Sequence, residues 1–153
     1  LSLTILAIEN KTDPEIDKLC AKYIKRISGI HKVELKKLPA AKLKDPEAQK
    51  KKETDTILAC IKPGDVLILC DELGKEFTSR QFATFLEKEF SQLRGKLVFA
   101  IGGAYGFTEE AKKNHPSIKL SKFVFPHHLA RLVLIEQIYR GLSIQRNSPY
   151  HHD

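Results

Sequence analysis

Methionine is missing from all 153 residues, and the start at Leu1 is expected to be trimmed or altered. Cysteine is scarce: Cys20, Cys60 and Cys70 form no CxxC pair and no even framework. That excludes a disulfide scaffold. The three sit inside apolar patterns and read as buried, reduced thiols of a cytosolic protein. No apolar run approaches the ~20 residues of a membrane span. No basic segment followed by an apolar stretch and a cleavage site opens the chain, so secretion is not expected. Internal repeats, low-complexity tracts and long linkers are absent too. Chemical signatures are equally thin. There is no GxGxxG, no GK[ST] behind a glycine turn and no HxxxH. His127 and His128 are adjacent, so on a helix they diverge by about 100° and do not share one metal, and no metal site is expected. No Ser–His–Asp or Cys–His set emerges from spacing. No carboxylate pair stands out, although Asp71-Glu72 has the chemistry to accept protons or hold a ribose.

What is present fits one domain with a real core: 42% of residues are hydrophobic and 29% charged. The formal net charge is +7. That suits a polyanionic partner, and its distribution says more than its total. Residues 111–153 hold seven Lys and Arg against two acids, with five of the six histidines. The Lys50-Lys51-Lys52 run reads as a solvated helix face.

Periodicity gives alternating strands and helices. Strands are predicted at Leu3–Ile8, His31–Leu38, Val66–Cys70, Leu97–Ile101 and Ser117–Leu120. Helices are predicted from Pro14 to Gly29, from Pro46 to about Ile61, after Thr78 or Ser79 until Gly95, over Glu109–Asn114, and over His127–Ile144. This alternation predicts an α/β fold with a mainly parallel sheet and helices on both faces. Ligands bind at the carboxyl ends of strands in such sheets. Three loops are predicted at those ends: Asp71–Lys75, Gly102–Gly106 and Ser121–Pro126.

Two segments carry most of the information. Leu97–Gly106, LVFAIGGAYG, is a strand that stops at paired glycines, where bare backbone can approach a ligand. The same glycines also suit a plain tight turn, and sequence physics leaves both readings open. The last helix is apolar around nearly its whole circumference, whereas a surface helix shows a single stripe. It must be buried on several sides, in the core and against another subunit. Arg131, one turn into that helix, is expected to meet phosphate or substrate. Glu136 and Arg140 form an i,i+4 pair. His127 reads equally as a ligand or RNA contact and as a first-turn polar residue. The tail NSPYHHD is either a frayed terminus or, through Tyr150 beside His151 and Arg146, a stacking platform for unpaired bases.

At IGGAYG, LSKFVFPHHLARLVLIEQIYRGLSI and the terminal YHH, the sequence resembles the ribosomal RNA large subunit methyltransferase H family, the smallest SPOUT methyltransferases. The resemblance covers the whole chain, including Gly74-Lys75, and implies one SPOUT domain over residues 1–153. It implies a sheet whose carboxyl-terminal part is tied in a trefoil knot, which sequence rules alone would not predict. It implies a homodimer that binds S-adenosylmethionine in the knot loops. The reaction it implies is methylation of N3 of a pseudouridine in helix 69 of 23S rRNA, on the assembled ribosome. Cofactor contacts then fall at Cys70, at Gly102 and Gly103, and along Leu120, Ser121, Lys122, Phe123, Val124 and Phe125. His127, Arg131, Tyr150 and His151 become candidates for the chemistry, with Asp71 a further possible base. RNA contacts would come from Lys119, Lys122, Arg131, Arg140, Arg146 and the tail. Two other classes remain open: an RNA-binding module without cofactor, and a flavodoxin-like nucleotide-binding protein that needs no dimer.

Overall fold

The computed structural model describes residues 2–153; Leu1 lies outside them. Strands β1 (Ser2–Ile8), β2 (Lys32–Leu38), β3 (Val66–Glu76), β4 (Lys96–Ile101) and β5 (Ser117–Lys119) form one sheet in the order β2-β1-β4-β3-β5. Every pairing is parallel. The α/β architecture is therefore the one that the alternating pattern predicts. Ile5 lies beside Leu35 and Phe99, and Phe99 beside Ile68, so the middle of the sheet is a continuous apolar row.

Helices start where a side chain takes up a free backbone N–H. Asp13 caps α1 (Pro14–Ser28), and Asp45 caps α2 (Pro46–Leu58), each followed by proline at the first helical position. Thr78 and Gln81 close a capping box on α3 (Ser79–Ser91), and Thr108 caps α4 (Glu109–Asn114). The last helix, α5 (His127–Gln145), begins after Pro126 without a side-chain cap.

Alternate strand residues bury into two layers. Leu3, Ile5, Phe99, Ile101 and Ile68 pack against α1, α3 and α5, with Ile27, Leu86 and Ile135 among the buried contacts. Leu6, Ile8, Val98, Ala100 and Leu69 pack against α2 and α4 through Ile57 and Ala111. Among the described residues no helix is long and apolar enough to cross a membrane.

Two expectations are corrected here. The loop expected at Asp71–Lys75 is part of β3, which runs on to Glu76. Its pairing with β5 slips, so that Ile118 faces both Cys70 and Lys75. Gly74 sits against that slip: a Cβ there would come within 2.5 Å of the Ile118 carbonyl carbon. The close approach explains why glycine stands in a strand.

The second correction is Arg131. It is wholly buried and turned into the core, where no phosphate reaches it. Its Nη2 donates to Asp17 Oδ1 at 2.6 Å. Its Nη1 lies 3.1 Å from Glu9 Oε2, without hydrogen-bond alignment. Lys37 also bonds Asp17, at 2.8 and 2.9 Å. Lys37, together with Arg131, holds the Asp17 carboxyl below its ordinary value despite opposing desolvation. The cluster ties β1, α1 and α5 together. Removing one partner from a buried pair leaves an uncompensated charge. Arg131→Ala is therefore expected to destabilise the fold by about 3–5 kcal/mol in urea denaturation. A substrate-contact role would instead leave stability intact while activity fell.

Candidate functional site

The middle of β3, from Cys70 to Leu73, and the carboxyl ends of β4 and β5 border a cavity of about 590 Å³. That size suits a small organic ligand. Its walls include Cys70 and Asp71 from β3, the 102–106 turn after β4, and 120–125 after β5. His127 and Ala130, at the start of α5, complete it. The structure thus brings together at one place Cys70, Gly102, Gly103, His127 and the whole 120–125 segment. It does not bring Arg131, Tyr150 or His151 there.

The glycine turn is held in shape by its own backbone. The Gly106 N–H donates to the Gly103 carbonyl at 3.1 Å, and Gly106 has φ 74°, a left-handed conformation that favours glycine. A Cβ on Gly102 would meet the Phe107 ring at 3.2 Å and the Gly106 carbonyl at 3.3 Å. Phe107 is buried beneath the turn and anchors it to the α2–α4 layer. An apolar residue directly after the glycines is the sequence signal for that anchor.

On the other wall, Ser121 Oγ accepts the Phe123 N–H at 3.0 Å, which turns the 121–123 backbone. Phe123 and Val124 are then left 82% and 89% exposed, and Leu73 across the mouth 80%, so the rim is apolar and uncovered. Asp71 Oδ2 accepts the Leu73 N–H at 3.2 Å. Lys112, Lys119 and Lys122 add positive charge to the walls. Burial, reinforced by the Asp71 carboxylate, pushes the Cys70 thiol up to about 12, so it stays protonated and unreactive at neutral pH.

The tail folds along α5 instead of fraying. Tyr150 donates to Glu136 Oε1 at 3.0 Å, stands edge-on to Tyr139, and lies under the Arg140 guanidinium. Arg140 bonds Glu136 at 2.7 and 3.0 Å and approaches His151 Nδ1 at 3.1 Å. His151 Nε2 and Arg80 both hold Asp153. Arg80, then His151, keep the Asp153 carboxyl well below the usual range. Burial first, then bonding to Tyr23 and the Glu136 charge, raises the Tyr150 phenol well above its ordinary value. Glu136 is nine residues along α5 from His127, roughly 14 Å of helix. Tyr150 and His151 are therefore displaced from the cavity of their own chain.

Behind the turn lies a residue that sequence reasoning missed. Glu53 of α2 is 1% exposed, and its carboxylate sits directly behind Gly103. Its only sequence signal is an acid following three lysines, which reads as surface.

The chain matches, over residues 1–151, the family described as "Predicted SPOUT methyltransferase". It is 52% identical over 106 residues to a protein of Parabacteroides distasonis named ribosomal RNA large subunit methyltransferase H, covering 69% of this chain and 68% of that one. Proteins of the same name from Phocaeicola vulgatus and Flavobacterium johnsoniae are similar along the whole chain. The first is 35% identical over 157 residues, covering all of both chains, and the second 40% over 157 residues, covering 99% of each. A cavity built by the middle of β3 and the turns that follow β4 and β5, in a chain that matches its relatives end to end, leads to one assignment: this protein belongs to the SPOUT methyltransferase family and is a methyltransferase.

Proposed function

We propose that this protein methylates ribosomal RNA with S-adenosylmethionine, at N3 of a pseudouridine in helix 69 of the 23S molecule on the assembled ribosome. It does so in the cytoplasm as a homodimer, and the carboxyl-terminal part of the sheet carries the trefoil knot of the family. The observation that carries this reading is the convergence of 102–106 and 120–125 on one cavity. Its walls fit the cofactor chemically. Ile101, Leu120 and Phe125 offer apolar contact to an adenine, and the glycine backbone offers polar groups to its edge. Asp71 and Glu72 suit ribose hydroxyls or a cationic centre, and Lys119 or Lys122 suits a carboxylate.

When bound, S-adenosylmethionine supplies a methyl group on a sulfonium, a good leaving group for direct displacement by the imide nitrogen. The protein's main task is then alignment of two reactants. Of the groups that could hold the N3 proton, His127 and Asp71 line the cavity. Tyr150 is held protonated. Together with His151, it would serve the site of a second copy.

Support for the dimer comes from α5. Its residues from His128 to Gln145 are all buried or half-buried within one chain, yet Leu129, Leu132, Val133 and Ile144 are covered only in part. A second copy would complete that burial.

Calorimetric titration of S-adenosylmethionine should give micromolar binding to the natural sequence and none to Gly102→Val, whose side chain collides with Phe107 and Gly106. No binding to the natural sequence, with or without ribosomes, would exclude the cofactor reading. Ribosome affinity should fall steeply with added salt, because the contacts are basic side chains on phosphates. A flat salt response would remove that account. His127→Ala should cost about tenfold or less in turnover if alignment dominates; a loss of about 100-fold or more, with cofactor binding intact, would make His127 the base.

A further inference from the structure

Two consecutive polar residues of α2 are buried against the back of the glycine turn. Glu53 is 1% exposed and Thr54 2%. The Thr54 hydroxyl oxygen accepts the Thr108 N–H at 3.3 Å, at the far end of the turn. Glu53 stands behind the near end: a Cβ built on Gly103 would overlap Glu53 Oε1 and lie 2.8 Å from its carboxyl carbon. The carboxylate is not free to retreat. Its Oε2 accepts the Ala41 N–H at 2.9 Å, with Gln49 Nε2 at 3.5 Å. Oε1 has no hydrogen-bond partner.

A buried acceptor without a donor is destabilising, and more so when charged. Packing alone would be served by an apolar side chain. A carboxylate with one oxygen anchored and the other held empty behind a ligand-binding turn fits a donor that arrives in another state of the turn. Oε1 stands close against the Gly103 backbone.

We propose that Glu53 is a positioning residue for the cofactor cavity. Its carboxylate, anchored on Ala41, sets the position of the 102–106 turn. Its free Oε1 accepts a backbone N–H at the Gly103–Ala104 step when the cavity fills. Glu53 never touches the cofactor, being absent from the cavity wall. This inference rests on the cofactor reading above and explains why position 103 requires glycine: the obstacle is a fixed carboxylate behind it, not a ligand in front.

The test compares the natural sequence with Glu53→Gln, Glu53→Ala, Gly103→Ala and the Gly103→Ala/Glu53→Ala double variant. S-adenosylmethionine affinity, turnover and hydrogen exchange across 102–108 are measured on each. Glutamine can present its single oxygen to Ala41 or to the turn, not to both. Glu53→Gln should therefore bind about tenfold more weakly, the worth of one charge-assisted bond. Turnover at saturating cofactor should be kept. Gly103→Ala should lose binding in the Glu53 background and recover part of it in the Glu53→Ala background. Equal losses in both backgrounds, or full affinity in Glu53→Gln, would overturn the proposal. If the natural sequence binds no cofactor, the cofactor reading fails separately. The ligand-free exchange then decides on Glu53: faster exchange across 102–108 in Glu53→Gln supports its hold on the turn, and unchanged exchange refutes it.

Discussion

Burial of α5 is the constraint on which the rest of the structure depends. A helix apolar around its circumference has to be surrounded, and this one lies on the sheet between α1 and α3. Its amino-terminal end therefore arrives at the carboxyl ends of the strands, bringing His127 and Ala130 to the cavity. Its carboxyl-terminal half becomes the bed on which Tyr150 and His151 lie. Site, core and tail are thus placed by one packing requirement.

The wall of the site that follows β4 is a glycine turn. The shape of the site is supported by Phe107 from below, by Ser121 across the 121–123 turn, and by Thr54 and Glu53 from the rear. Such a cavity is shaped by what stands behind its walls. The two layers on either side of the sheet consequently have different duties. The α1–α3–α5 layer carries most of the apolar burial, and the thinner α2–α4 layer supports the turn after β4.

Local pattern made much of this legible. Strand runs ending in Gly102-Gly103, proline after an aspartate at Asp13-Pro14 and Asp45-Pro46, and the α5 composition each point to the element observed. The resemblance at LSKFVFPHH located the 120–125 wall that the structure places at the cavity. What stayed hidden depends on distant partners. Arg131 looked like a ligand contact because Glu9 and Asp17 are far away in sequence. Glu53 looked like surface because its neighbours are lysines and its role depends on Gly103. The second half of β3 looked like a loop because Asp-Glu-Leu-Gly-Lys has little strand character; only its slipped pairing with β5 draws it into the sheet.

The Arg131 cluster also joins parts of the chain that lie far apart in sequence. Asp17 and Arg131 are separated by 114 residues. Both carboxylates belong to the β1–α1 unit and their guanidinium to α5. Asp17 is half-exposed and also held by Lys37, whereas Glu9 is buried with Arg131 as its charged neighbour. Bringing these residues together closes a loop of 114 residues, an entropic cost that the ion cluster and the burial of α5 offset together.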